Sequence, residues 1–335
     1  MTRKASMKVC IVGAGAIGGF IGARLAATGA CSVSALARGA TLAALQSHGW
    51  RLRQDGGLVQ APVTTSDRAQ ALGPQDLVVI AVKGPALAAV ADGLAPLLGP
   101  DTAVLPAMNG VPWWFAHGIL PPEQAALSTI DPDGRIARGI PAARVVGCVV
   151  HASTSTPEPG LVQHHMGGGL IIGEPDGTAS ARVERIAALL AQAGFDVTAS
   201  RAIRHDIWYK LWGNMTMNPV SAITGATVDR ILDDPLVRRF CSDAMDEAAR
   251  IGRELGCAID QSAEDRHAVT RKLGAFKSSM LQDAQAGRPL ELDAIVAVVR
   301  ELGQKVGVPT PNIDALFGLA RLYGRAHGLY PDVSA

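Results

Sequence analysis

"VCIVGAGAIGGFIGARLAATG", residues 9–29, is the stretch that decides the fold. Val9–Val12 is a short apolar run of the kind that forms a buried strand of a parallel sheet. It stops on Gly13, and Gly13-Ala14-Gly15-Ala16-Ile17-Gly18 follows in the pattern G-x-G-x-x-G. Ile17, Phe20, Ile21 and Leu25 then recur at helical spacing until Gly29. The motif needs strand, glycine turn and helix in that order, and all three are present. The first glycine permits a tight turn, the second lets the backbone approach a pyrophosphate, and the third lets the helix pack on the strand. The helix start adds free N–H groups and partial positive charge. Residues 13–18 are therefore expected to bind a dinucleotide, against the alternative of a merely structural glycine turn.

The next strand is expected at 31–38, "CSVSALAR". A site that prefers NAD usually carries an acid at its end for the ribose hydroxyls. Here the strand ends on Arg38, whose planar fork of donors suits a 2′-phosphate. The cofactor expected is NADP(H), with a solvated surface arginine as the alternative. Residues 49–66 alternate around Asp55-Gly56-Gly57 and read as a hairpin. "DLVVIAVKG" (76–84) is a further apolar run, with a helix expected over 85–97, and "TAVLPAMNG" (102–110) is another. Open α/β sheets bind ligands beyond the carboxyl ends of their strands. Lys83 and Asn109 stand at two such ends, each before a glycine, so both are candidate site residues. Residues 145–173 are strand-rich, and a helix over 178–193 and a strand over 195–200 are expected to complete the sheet. His164 and His165 are adjacent on a strand and should face opposite ways, so no metal site is expected there.

At 335 residues the chain is long for one core, and two domains are expected. A net charge of +1 points to neither a nucleic acid nor a membrane surface as partner. No apolar run is long enough to span a bilayer, and the basic start before residue 9 lacks the pattern of a signal peptide. Cys10, Cys31, Cys148, Cys241 and Cys257 are scattered, as expected of buried reduced thiols in a cytoplasmic protein.

After residue 200 strand-like runs give way to helical periodicity. The expected division is 1–200, an α/β Rossmann-type doubly wound sheet, and 201–335, an all-helical domain for substrate binding and dimerisation. In "RAIRHDIWYKLWGNMTMNPVSAITG" (201–225), Trp208, Leu211, Trp212 and Met215 form an apolar stripe. Lys210, Asn214 and Asn218 lie at i, i+4 and i+8 and share another face. Pro219 is expected to end or kink the helix. Further on, Ser278 and Ser279 interrupt an apolar pattern, and Glu291 follows Pro289 at the first turn of the next helix.

Taken together these residues resemble the ketopantoate reductase (2-dehydropantoate 2-reductase) family over nearly the whole chain. The resemblance rests on the glycine turn, Arg38, "VKG" with Lys83, "NG" with Asn109, Lys210-x-x-x-Asn214-x-x-x-Asn218-Pro219, and "SSMLQD" followed by "LELD". It implies a Rossmann domain and a helical domain with the active site in a cleft between them, and reduction of a 2-keto acid by NADPH in pantothenate biosynthesis. It implies that Lys210 donates a proton to the ketone oxygen and that Glu291 lies near the reacting centre. Asn109, Asn214, Asn218 and Ser279 match cofactor or substrate contacts, and Lys83 a cofactor-side lysine. A homodimer is a further expectation. Two departures bear on which 2-keto acid is bound: Val228 stands where the family pattern has another asparagine, and "GVPWWFAHG" (110–118) is bulkier than the usual version. Competing readings are a reductase or dehydrogenase of another branched 2-keto or hydroxy acid on the same plan, and a nicotinamide-nucleotide sensor without turnover.

Overall fold

The computed structural model describes residues 6–332; part of the basic N-terminal start lies outside them. The chain divides into two compact units. One holds the residues up to Asn109 together with Asp133–Arg204; the other holds Gly110–Pro132 together with the residues from His205 onward. The segment 110–132 thus packs with the C-terminal helices, where an unbroken division near residue 200 had been expected.

The first unit opens with β1 (Lys8–Val12), α1 (Ala16–Thr28), β2 (Ser32–Leu36) and α2 (Gly39–His48). β3 (Trp50–Gln54) and β4 (Gly57–Ala61) form the expected hairpin, and Asp55 and Gly56 take positive φ in its turn. β5 (Thr64–Ser66) and β6 (Gln75–Ile80) follow. The helix expected over 85–97 is shorter: α3 covers Leu87–Gly93, between tighter turns that begin at Gly84 and Ala95 and contain Pro85 and Pro96. β7 (Leu98–Pro106) closes a five-stranded sheet in the order β5-β2-β1-β6-β7, parallel throughout. The register sets Ser66, Leu36, Val12, Ile80 and Pro106 level along its carboxyl edge.

After α4 (Arg135–Gly139), the strands β8 (Gly147–Glu158) and β9 (Leu161–Gly173), the helix α5 (Ala181–Gln192) and β10 (Asp196–Ala199) do not extend that sheet. They build a second one in the order β10-β9-β3-β4, with β8 antiparallel to β9. α1 contacts strands of both sheets, which explains why it is apolar on nearly all sides. At Gly22 a Cβ would lie 2.6 Å from the Trp50 ring of the second sheet, so only glycine permits that approach. His164 stacks on Phe20 at 4.8 Å between ring centroids, while the His165 Nε2 meets Ser155 Oγ at 2.8 Å.

The second unit is built on α6 (Ile203–Thr224), followed by α7 (Val228–Asp233), α8 (Pro235–Glu254), α9 (Ala263–Arg271) and α10 (Ser279–Gln285). A π-helical turn over Asp293–Ala297 leads into α11 (Val298–Val306), and α12 (Pro311–Ala326) follows. Trp208, Leu211, Trp212 and Met215 are buried as the apolar stripe requires, and Trp212 Nε1 donates to the Met245 carbonyl of α8 at 2.7 Å. Pro219 does not end the helix, which continues to Thr224. The 110–132 segment adds Trp113, Trp114 and Phe115 to this unit, all buried, with Phe115 stacked on Trp208 at 5.8 Å. Its bulk is therefore packing. The same holds for Val228, which is 2% exposed in an apolar cluster with Met217, Val220 and Leu232.

All five cysteines are buried. Burial pushes the Cys10 thiol up to about 11 and the Cys241 thiol up to about 12, so both stay protonated at neutral pH. Among the described residues, no helix is long and apolar enough to cross a membrane.

Candidate active site

The glycine turn lies between β1 and α1, where the strand order reverses direction. Gly13 has φ +90° and donates its N–H to the Leu36 carbonyl at 3.2 Å. A Cβ there would meet Val82 Cγ1 at 2.6 Å. Gly18 packs still more closely: its Cβ would lie 2.1 Å from the Gly13 carbonyl oxygen. Gly15 differs from both. It caps α1, and a Cβ on it would meet no protein atom within 4 Å. Packing does not require glycine at that position, and the space beside it is open. No side chain caps α1, and its first turn carries no acid. That combination leaves backbone N–H groups and a positive helix end for an anion, so the residues present fit the pyrophosphate of a dinucleotide.

A cavity of about 420 Å³ adjoins this turn. Gly13, Ala14, Gly15 and Arg38 line it, together with Thr41, Asp67, Arg68 and Gln70. Ala16, Ile17 and Gly18 form the first turn of α1 beside it. Arg38 occupies the N-cap of α2, a helix with no acid in its first turn. A cation at a helix N-terminus opposes the helix dipole, so local stability does not account for it. Lys83 and Asn109 each lie three residues beyond the level row of strand ends, following Ile80 and Pro106. Both belong to the carboxyl edge of the sheet, although neither is among the cavity's lining residues.

Lys210, Asn214 and Asn218 are in the second unit, one turn apart on α6. Lys210 and Asn214 are half-buried and Asn218 is buried. The Asn218 carbonyl accepts from Ser221 Oγ at 2.9 Å, and Ser221 in turn hydrogen-bonds Ser278. Ser278 caps α10 by accepting from Leu281 N at 3.0 Å. Of the serine pair, Ser278 is thus buried and structural, and Ser279 is the exposed one, at the first turn of α10. Ser278 was legible only as an interruption; its link to α6 follows from the fold.

Glu291 is half-buried just ahead of the π-helical turn. That turn leaves the Ala294 carbonyl to accept from Val111 N at 2.9 Å. Gly110 comes so close to it that a Cβ would lie 2.3 Å from the Ala294 oxygen. This explains the glycine of the "NG" pair. Beside it, Asp293 accepts from the Tyr330 hydroxyl at 2.5 Å, and burial holds its carboxyl above the ordinary value although that bond lowers it. No group of three or more His, Cys, Asp or Glu side chains among the described residues is arranged to hold a metal ion.

The sheet order, the glycine turn and its cavity define a dinucleotide-binding protein of the Rossmann type. Residues 9–177 match the family model described as ketopantoate reductase PanE/ApbA, and residues 202–324 match the model for its C-terminal part. The chain belongs to the ketopantoate reductase family, whose members are nicotinamide-dependent oxidoreductases. It is 43% identical over 325 residues to the 2-dehydropantoate 2-reductase of Mesorhizobium japonicum, covering 97% of this chain and 100% of that one. A protein of Ralstonia solanacearum MolK2, assigned to the ketopantoate reductases, has a solved structure that superposes with a TM-score of 0.94 at 57% identity, covering 97% of this chain and 100% of that one. D-mandelate dehydrogenase in its complex with NADH and anilino(oxo)acetate shares the fold, with a TM-score of 0.82 at 21% identity over 96% of this chain and 100% of its own.

Proposed function

We propose that this oxidoreductase reduces 2-dehydropantoate to pantoate with NADPH, as a step of pantothenate biosynthesis. The observation that carries the reading is the row of Lys210, Asn214 and Asn218 on one face of α6, in a chain 43% identical to a 2-dehydropantoate 2-reductase over that enzyme's whole length. When bound, NADPH supplies the hydride for the ketone carbon. As charge builds on the ketone oxygen, the Lys210 ammonium stabilises it and then donates a proton to it. The amides of Asn214 and Asn218 hold hydroxyl and carboxylate groups of the substrate. The Ser279 hydroxyl and Glu291 belong to the same unit and join that polar set, and Asn109 is a further candidate contact for cofactor or substrate. The glycine turn, Arg38 and Lys83 serve the cofactor.

Preference for NADPH rests on Arg38 at the end of β2, where no acid stands. A homodimer and a cytoplasmic location are proposed with it; five scattered, buried cysteines fit a reducing compartment. The test is spectroscopic: oxidation of NADPH and of NADH with a panel of 2-keto acids that includes 2-dehydropantoate. Fastest turnover is expected for 2-dehydropantoate with NADPH. Turnover confined to another 2-keto acid would overturn the substrate, and binding without turnover of any would leave a nucleotide sensor.

A further inference from the structure

Three charged residues line the cavity beside the glycine turn: Arg38, Asp67 and Arg68. Their placement follows from strand register. β2 and β5 are parallel neighbours with Leu36 opposite Ser66, and the pairing continues one step further through Ala37 N–H to the Ser66 carbonyl at 3.0 Å. Arg38 and Arg68 each come two residues after that matched pair, so they leave the sheet from adjacent strand ends. The Ser66 hydroxyl accepts from the Arg68 N–H at 3.0 Å and fixes the backbone there. Both side chains are exposed, and among the described residues neither guanidinium has a hydrogen-bond or ion-pair partner.

The charges decide what such a rim binds. Arg38 with Asp67 alone sums to zero, a poor site for a phosphate dianion, because the carboxylate repels what the guanidinium attracts. Arg68 restores a net positive rim and adds a second planar fork of donors. We infer that Arg68 is a second ligand of the cofactor's 2′-phosphate, acting with Arg38 from the neighbouring strand end, and that it determines NADPH preference by overcoming the Asp67 carboxylate. This rests on the NADPH reading above and extends it to a residue outside the glycine motif and the second strand.

The experiment measures binding of cofactor fragments, independently of turnover. Affinities for adenosine 2′,5′-bisphosphate and for adenosine 5′-monophosphate are determined calorimetrically for the unmodified protein and for Arg68→Ala, Arg68→Lys, Arg38→Ala and Asp67→Asn. In Arg68→Ala the bisphosphate is expected to bind about ten-fold more weakly, with the monophosphate nearly unchanged. Arg68→Lys should recover part of the loss, and Asp67→Asn should strengthen bisphosphate binding. Arg68 is exposed, so its variants should melt with the unmodified protein. If Arg68→Ala keeps the full preference while Arg38→Ala loses it, the assignment of Arg68 fails and the NADPH reading stands. Equal weakening of both ligands in Arg68→Ala also overturns the assignment. If the unmodified protein binds the two fragments equally, the NADPH reading itself falls, and the role of Arg68 with it.

Discussion

Two glycines of one motif should fail in opposite ways when each is changed to alanine. In Gly18→Ala the new methyl carbon would start 2.1 Å from the Gly13 carbonyl oxygen and 3.0 Å from Ile11 Cγ2. An ordinary carbon–oxygen contact is longer by about an ångström, and the obstacle is backbone, so helix and strand must separate. Overpacking of this kind costs about 1–3 kcal/mol, and a backbone obstacle puts it at the upper end. For a unit of this size that lowers its melting midpoint by roughly 6–12 °C. Gly15→Ala meets nothing within 4 Å, and the φ of −81° there suits alanine. A poorer N-cap costs a few tenths of a kcal/mol to about 1, and a stiffer unfolded chain returns about 0.4–1. The melt should therefore barely move. The methyl group does enter the space beside the helix start, and NADPH should bind at least about ten-fold more weakly, a loss of about 1.4 kcal/mol. Thermal unfolding followed by circular dichroism and NADPH titration followed by fluorescence are measured on the same preparations. A Gly15→Ala variant that binds normally, or that melts as low as Gly18→Ala, would refute the division of labour argued for the turn.

Lys210→Ala should lower turnover about 100-fold or more with NADPH affinity nearly unchanged, and Lys210→Arg should not restore the rate; single-turnover kinetics beside NADPH titration check both. Glu247 is 1% exposed and accepts from Asn312 N, Asn312 Nδ2 and Ile313 N at the start of α12, so Glu247→Ala should cost about 3 kcal/mol of stability in denaturant unfolding. His267 is buried against Ser242, and burial lowers its pKa below the ordinary 6.5, opposed by Glu264 and reinforced by Arg238, Arg271 and Arg266. The unfolded chain then binds the proton more readily, so this contribution is complete above about pH 6.5 and is lost as pH falls from there to the depressed folded value. His267→Gln should flatten that part of the stability profile, measured by unfolding across pH 5–8.

The parts legible in the sequence are those fixed by local chemistry. The glycine turn, the Asp55-Gly56 hairpin and the spacing of Lys210, Asn214 and Asn218 each depend on a few consecutive turns of chain. The second sheet was not legible, because its strands look like any others and only pairing assigns them. β9 joins β3 through residues 161–163 and β10 through Gly169–Ile172, which no local pattern announces. Arg68 was missed for a related reason. β5 is three residues long, too short for alternation to show, so nothing marked a strand end before Asp67 and Arg68. Pro219 misled because a proline usually stops a helix; here the helix runs on, with Ser221 and Thr224 hydroxyls donating to carbonyls of the turns around it. The aromatic run 113–115 stands out in the sequence by its bulk beside Asn109, but Phe115 finds its partner, Trp208, far along the chain.

That last separation sets a problem in time. The polypeptide leaves the first unit at Asn109, contributes 110–132 to the second, and returns at Asp133. As the chain emerges from the ribosome, Trp113, Trp114 and Phe115 appear about 90 residues before Trp208, on which Phe115 stacks. At about 5–20 residues per second, that interval lasts on the order of 5–20 s. Throughout it, three large apolar side chains wait on a segment whose two ends belong to the first unit. The nascent protein thus carries an adhesive patch until α6 has emerged, and a chain halted with residue 133 outside the ribosome and Trp208 still within it would display that patch continuously.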